Sequence, residues 1–161
     1  MSNYKFLRPE NIKYLHGEDD TSSFVDKKFL INNIIPLYEG KKIVIRTPTS
    51  IVNRINGMYI TLKIDDNNFL DLLSEIDKRN KEFITSKYGT YFVYKPLIYG
   101  KDLLSMKIQK NTKVFDEDNR DILFYNIRER NSVYITFEYK NIFIKDTTYS
   151  NILSVKQIKM N

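Results

Sequence analysis

The sequence of 161 residues contains no cysteine, no alanine, no tryptophan and only one histidine. Without cysteine the chain forms neither disulfides nor thiolate zinc sites, and it has no cysteine nucleophile. The single histidine, His16, excludes metal sites built from several imidazoles. It stands beside the acidic run "GEDD", where we interpret it as an exposed bystander rather than a catalytic base.

Long apolar segments are also missing. No run approaches the roughly 20 residues that cross a bilayer, and the start "MSNYKFLRPE" lacks the apolar segment of a signal peptide. We therefore expect an intracellular protein with no membrane partner. The length is sufficient for one domain whose core needs no disulfide or metal. We predict a single domain over 29–161, preceded by a weakly ordered segment over 1–28.

The distribution of charge is more informative than its total. The absence of alanine and the abundance of Ile, Lys, Asn and Tyr are typical of an A+T-rich genome. Because such a genome supplies lysine without selection for binding, the net charge of +6 is by itself weak evidence for a negatively charged partner. Residues 41–64, however, carry five basic and no acidic side chains, and residues 85–113 carry six basic against one acidic. Residues 65–84 between them carry six acidic against three basic. These alternating blocks indicate a polarised surface in the folded protein.

The apolar pattern predicts mostly strands. "KIVIRT" and "MYITLKI" alternate with period two, as half-buried strands do, whereas "FLDLLSEIDKRNKEFI" has helical spacing. We interpret "FLINNIIPLY" as an edge strand because of Pro36, and residues 49–57 as a loop that ends in an Asn56–Gly57 turn. The predicted fold is mostly β, an OB-fold-like Greek-key barrel with one amphipathic helix at about 66–84 between two groups of strands.

Motifs for catalysis have little support. Gly100–Lys101 lacks the first glycine of a phosphate-binding loop. "DEDNRD" (116–121) resembles a calcium loop, but Arg120 occupies a ligand position. The acids suited to a metal-dependent nuclease lie on the predicted helix start and a turn, where solubility explains them, and they are Asp65, Asp66, Asp116 and Asp118. We expect no enzymatic activity and no cofactor, and we rank a nuclease as the third hypothesis.

Basic strands with interleaved tyrosines are the remaining feature. Lysine and arginine contact phosphates, and exposed tyrosines stack on unpaired bases, which together form a surface for single strands. The alternative is that the tyrosines fill strand positions as packing residues while the lysines only confer solubility. The candidate nucleic-acid contacts are Lys42, Arg46, Arg54, Tyr59, Lys63, Tyr94, Lys95, Lys107, Lys110 and Arg128.

The order of motifs resembles a family of single-stranded-DNA-binding proteins from large eukaryotic DNA viruses, itself distantly similar to the replication protein of short-tailed phages. The similar elements are "IRTP" (45–48), "YITL" (59–62) and "FLDLLSEID" (69–77), followed by "LSMKIQK", "FDEDN" and a closing "VKQIK". The resemblance covers roughly residues 37–159. The chain departs from the family in the loop after "TP", which reads "SIVNRING" where a Pro-Phe-Gly element is common.

The resemblance implies an OB-fold protein that binds single-stranded nucleic acid, DNA in preference to RNA, in viral DNA replication, repair or recombination. It implies a groove lined by Arg46, Tyr59, Lys63, Lys107, Lys156 and Lys159. The expected location is the host cytoplasm or nucleus at sites of viral replication, or the virion. Separately from the resemblance, we expect the acidic helix to offer a surface for a homodimer or a replication partner. The alternative is a viral structural or interaction module that does not bind nucleic acid.

Overall fold

The computed structural model describes residues 2–16 and 33–161, which form a mostly β domain with one long helix. The strands are β1 (Ser2–Asn3), β2 (Ile12–His16), β3 (Asn33–Tyr38), β4 (Lys41–Arg46), β5 (Ser50–Asn56), β6 (Tyr59–Lys63), β7 (Val93–Lys95), β8 (Ile98–Tyr99), β9 (Leu103–Phe115), β10 (Ser132–Lys145) and β11 (Thr148–Met160), and the helix is α1 (Asn67–Tyr88). Within these residues no helix has the length and apolar character to span a membrane.

Five strands close a barrel. β5 pairs with β6, β6 with β9, β9 with β11 and β11 with β10, which returns to β5. Every pairing in this circuit is antiparallel except β9 with β11. This is the Greek-key order of an OB-fold barrel, with β6 and β9 as its second and third strands. The predicted fold class is confirmed, including a helix between two groups of strands.

Apolar side chains from alternate strand positions fill the barrel. Ile60, Leu62, Leu104 and Met106 are at most 1 % exposed, and burial of each such side chain contributes roughly 1.5–3 kcal/mol. Because neighbouring residues on a strand face opposite sides, the intervening residues of β6 and β9 form the outer surface.

The helix α1 packs its apolar side on the barrel through Phe69, Leu73 and Ile76, all at most 1 % exposed. It begins after Asp66, whose Oδ1 accepts a hydrogen bond from the Phe69 backbone N–H at 2.9 Å and so caps the first turn. It ends at Gly89, whose φ of 91° is a conformation that glycine adopts without steric cost. The predicted helix over 66–84 is confirmed and extends to Tyr88.

Residues 49–57, predicted to be a loop, mostly form strand β5. Val52 pairs with Leu62 and Arg54 pairs with Thr61, so Asn53 is an extra residue, a β-bulge. The bulge interrupts the two-residue alternation by which a strand is recognised in sequence. The hairpin turn at Asn56–Gly57 is present, with a φ of 60° at Gly57.

Strand β3 does not lie at a sheet edge, although it contains Pro36. It pairs with β2 on one side, where Pro36 is opposite Tyr14. On its other side it pairs with β10 only at Asn33–Ile34 and with β4 only at Leu37–Tyr38. Proline is tolerated because it falls in the gap between these two pairings, where no backbone donor is needed.

Residues 2–16 add to the sheet and therefore belong to the domain, which we predicted to start at 29. β1 pairs with β4 and β2 pairs with β3. The Tyr4 hydroxyl donates to Asp66 Oδ2 at 3.1 Å, which ties this segment to the start of α1. The rest of the segment predicted to be weakly ordered lies outside the described residues.

Candidate nucleic-acid interface

A phenol ring and an ammonium group lie side by side on the outer surface of the second and third barrel strands. Tyr59 of β6 pairs with Lys107 of β9, and two residues further along β6 the pair is Thr61 with Ser105. Paired residues project from the same side of a sheet. Tyr59 is 48 % exposed, and Lys63 and Lys107 are exposed as well.

The neighbouring strand β5 continues this surface. Arg54 pairs with Thr61 and is exposed, and Asn56 pairs with Tyr59. Strands β5, β6 and β9 contain no acidic residue, so no carboxylate on them offsets the cations. We call this surface the cationic face and define it by Arg54, Tyr59, Lys63, Tyr99 and Lys107.

Tyr99 joins the cationic face from the short strand β8, where it pairs with Leu103. Its hydroxyl donates to Thr61 Oγ1 at 3.3 Å, which holds the hydroxyl end over β6 and leaves the residue 45 % exposed. A groove of about 340 Å³ lies between Tyr99 and β11, with Lys95 and Ser105 in its walls. Tyr99 was not among the predicted contacts, because a two-residue strand gives no periodic signal in sequence.

More cations lie at a break in β9, next to the cationic face. Val155 of β11 pairs with Ile108 and Gln157 pairs with Lys113, so residues 109–112 bulge out of the ladder. Thr112 Oγ1 stabilises the bulge, since it accepts from the Gln109 N–H at 2.9 Å and donates to the Val155 carbonyl at 2.8 Å. The exposed side chains at this break are Lys110, Lys113 and Lys156.

The remaining predicted cations are dispersed. Strand β4, which carries Lys42 and Arg46, pairs with β10 and not with β6, so its outer row does not adjoin the row of Tyr59 and Lys63. Lys42 Nζ lies 3.7 Å from a Glu138 carboxylate oxygen, and the Arg46 guanidinium lies 5.1 Å from the centre of the Tyr134 ring. Lys95 and Arg128 are exposed, Lys95 in the wall of the groove and Arg128 on the connection between β9 and β10.

Two predicted contacts have structural roles instead. The Tyr94 hydroxyl donates to Asp77 Oδ1 and accepts from Asn80 Nδ2, both at 2.7 Å, and burial raises the pKa of Tyr94. Lys159 is 9 % exposed, and its Nζ donates to the Asp116 carbonyl at 2.7 Å. We therefore exclude Tyr94 and Lys159 from the interface, because the Tyr94 hydroxyl and the Lys159 ammonium are hydrogen-bonded within the protein and do not face a ligand.

Tyr94 belongs to a buried polar network that sequence reasoning missed. Asn80, with no exposed surface, accepts from the Tyr14 hydroxyl and donates to the hydroxyls of Tyr94 and Tyr139. These bonds connect α1 to β2, β7 and β10. Asn80 is separated by 66 residues from Tyr14 and by 59 from Tyr139, so no local pattern reveals the network.

The network also fixes the segment that carries Lys95 and Tyr99. Asp77 accepts from the Leu97 backbone N–H at 3.0 and 3.1 Å, and Asn151 Nδ2 donates to the Lys95 carbonyl at 2.9 Å. Both bonds hold the chain between β7 and β8, immediately before Tyr99.

The Asp77 carboxyl makes stability depend on pH. Burial raises the pKa of Asp77, an effect that the Tyr94 hydroxyl and the Leu97 N–H oppose. A raised folded-state pKa contributes stability below the unfolded pKa, near 3.9, which is lost as pH rises through the folded value. The amide in Asp77→Asn does not titrate. As pH rises through the folded-state pKa of Asp77, we therefore expect the free energy of unfolding of the wild type to fall relative to that of Asp77→Asn. Urea unfolding at a series of pH values measures the difference, and curves that stay parallel would contradict it.

Of the four acids considered for a nuclease, Asp66 and Asp116 serve a cap and a turn, and Asp118 pairs with Arg120 at 3.1 Å. Asp116 Oδ1 accepts from the backbone N–H groups of Asp118 and Arg120, both at 2.9 Å, and the Arg120 N–H is the main cause of a lowered pKa of Asp116. Asp66 caps α1. Among the described residues no three His, Asp or Glu side chains are grouped to hold a metal ion.

No protein-family model matches the sequence, and no curated protein matches it. Among solved structures, the single-stranded DNA-binding protein from bacteriophage Enc34 matches with a TM-score of 0.52 at 9 % identity, over 80 % of this chain and 84 % of that chain. A second structure of that protein, in complex with single-stranded DNA, matches with a TM-score of 0.47 at 10 % identity, over 81 % and 90 % of the two chains. The first match shows a shared fold, and the class that fold defines is the OB-fold-like barrel.

Proposed function

We propose that this protein binds single-stranded DNA through the cationic face and catalyses no reaction. The observation that carries the proposal is the Tyr59–Lys107 pair on the second and third strands of the barrel. OB-folds bind oligonucleotides on the face of these two strands. The ring can stack on any unpaired base, and the cation beside it can contact a phosphate of the same strand. The pair therefore binds single strands of any sequence.

Each component of the face has one task in this proposal. Tyr59 and Tyr99 stack on successive bases, and Arg54, Lys63 and Lys107 contact the backbone phosphates. Lys110, Lys113 and Lys156 continue the phosphate track around the bulge of β9. Stacking needs unpaired bases, which duplex DNA does not present, so single strands are preferred.

The fold similarity to the Enc34 protein supports this role, because that protein is named for binding single-stranded DNA. The resemblance of the motif order to the viral family supports the finer proposal that the protein acts in viral DNA replication, repair or recombination, in the host cytoplasm or nucleus. The outer side of α1 is the proposed surface for a second copy or a replication partner, since Asp71, Glu75 and Glu82 are exposed there.

A salt-dependent titration tests the proposal. We expect the wild-type protein to bind labelled oligo-dT with submicromolar affinity at low salt, and duplex DNA less well. If the six cations of the face and the β9 bulge each contact one phosphate, log K falls against log salt with a slope of about −4.2. An absence of oligo-dT binding at low salt would refute the proposal and favour the alternative, an interaction module indifferent to nucleic acid.

A further inference from the structure

The connection between β9 and β10 displays apolar and aromatic side chains that the barrel does not use. Leu123 is 59 % exposed and Tyr125 is 72 % exposed. Their neighbours Ile122 and Phe124 pack against the core, and Ile127 is 3 % exposed. The connection is thus anchored on its inner side. Among residues 2–16 and 33–161, no side-chain hydrogen bond or ring contact engages Leu123 or Tyr125 on its outer side.

Backbone hydrogen bonds fix the second half of this connection beside β5. The Arg130 N–H donates to the Val52 carbonyl at 2.8 Å, and the Val52 N–H donates to the Asn131 carbonyl at 2.9 Å. Asn131 Oδ1 in turn accepts from the Arg128 N–H at 2.7 Å. The exposed side chains of Arg128 and Arg130 are therefore presented from a backbone held in place by the barrel.

The second half of the connection lies next to β5, the strand that carries Arg54 of the cationic face. Val52 pairs with Leu62 of β6 on one side and meets Asn131 on the other, so the connection occupies the place of a further strand next to β5. Paired strands are about 4.8 Å apart, which places Arg130 and Asn131 roughly 10 Å from β6. A single strand that crosses β9, β6 and β5 therefore reaches this segment next. The first half of the connection is held at the end of β9, where the Ile122 N–H donates to the Val114 carbonyl at 3.0 Å.

We propose that residues 121–131 form a second single-stranded-DNA subsite, in which Tyr125 stacks on a base while Arg128 and Arg130 contact phosphates. The inference rests on the proposed function and extends it. The segment carries an exposed ring and two exposed arginines, and its acidic residues are Asp121 and Glu129. A ring for stacking followed by two cations is complementary to a nucleotide strand. OB-folds cover about 4–16 nucleotides, so short oligonucleotides fill the cationic face alone and longer ones reach the subsite.

A length series with Tyr125→Ser tests the subsite. We expect affinity for a 16-nucleotide oligo-dT to fall by about 5- to 10-fold, the lower part of the range for one stacked base. Affinity for a 6-nucleotide oligo-dT should be unchanged. Tyr125→Phe keeps the ring and should bind like wild type. Phe6→Ser is the matched control, since Phe6 is 74 % exposed and its N-terminal segment joins the sheet at β4, not at a strand of the cationic face.

The arginines give a second, independent measurement. The double variant Arg128→Gln, Arg130→Gln should make the salt slope for the 16-nucleotide oligo-dT shallower by about 1.4, or 0.7 for each lost phosphate contact. Wild-type affinity and slope in these variants would overturn the subsite. A wild-type protein that binds neither oligonucleotide refutes the proposed function itself, so the two failures are distinguishable.

Discussion

Binding of oligo-dT is expected to weaken by about 30- to 1000-fold in the double variant Tyr59→Ser, Tyr99→Ser. Each ring stacked on a base is worth about 1–3 kcal/mol, so two rings contribute roughly 2–4 kcal/mol at a cautious sum. Tyr59 is 48 % and Tyr99 45 % exposed, so their removal leaves no cavity in the core. Fluorescence anisotropy at a fixed low salt concentration measures the change.

The matched control is the pair Tyr59→Phe, Tyr99→Phe. It keeps both rings and loses only the weak hydroxyl contact of Tyr99 with Thr61, so binding should stay within a few-fold of wild type. Thermal unfolding should show that all these variants are folded. A folded serine pair that binds oligo-dT as wild type does would show that the rings of the cationic face do not contact bases.

The second large effect is on stability. Asn80→Ala is expected to lower the free energy of unfolding by about 3–5 kcal/mol. The amide of Asn80 is bonded to the hydroxyls of Tyr14, Tyr94 and Tyr139. The Tyr14 hydroxyl loses its acceptor, which costs about 1–3 kcal/mol for a buried group. Tyr94 and Tyr139 each lose one hydrogen bond, worth about 1 kcal/mol, and keep Asp77 and Asn151 as partners. Urea unfolding followed by circular dichroism measures the loss.

Lys78→Ala on the same helix is the control for Asn80→Ala. Lys78 is exposed, so its replacement should change the free energy of unfolding by no more than about 0.5 kcal/mol. A loss below about 1 kcal/mol in Asn80→Ala would mean that the hydroxyls find other partners. Because the network holds the chain between β7 and β8, we also expect Asn80→Ala to weaken oligo-dT binding through Tyr99.

Local patterns accounted for the elements whose side chains keep a regular period. The helix was predicted because apolar residues from Phe69 onward recur at helical spacing, and the strand "MYITLKI" because Ile60, Leu62 and Ile64 alternate with polar neighbours. Where the pattern is interrupted, prediction failed. The bulge at Asn53 hid β5, and the gap in pairing beside Pro36 allowed a proline in a strand with partners on both sides.

The sequence predicted the residues of the cationic face only in part, and the reason is not an interrupted pattern. Tyr59, Lys63 and Lys107 were expected to act together, and the structure places them on one surface. Lys42 and Arg46 were expected to join Tyr59 and Lys63, but β4 pairs with β10 rather than β6. The spacing of residues along one strand does not show which other strand pairs with it, because the paired strands are distant in sequence.

The sequence by itself determined a mostly β chain with one acidic helix and two strand-rich segments of nearly uniform positive charge, because periodicity and local charge are properties of neighbouring residues. Only the tertiary structure decided which tyrosines are open to a ligand. Tyr59 and Tyr94 both come from basic, strand-rich segments, yet Tyr59 lies exposed beside Lys107 while the Tyr94 hydroxyl is bonded to Asp77 and Asn80. The difference arises because burial depends on which distant strand or helix packs against each ring, and closure of the barrel sets that packing.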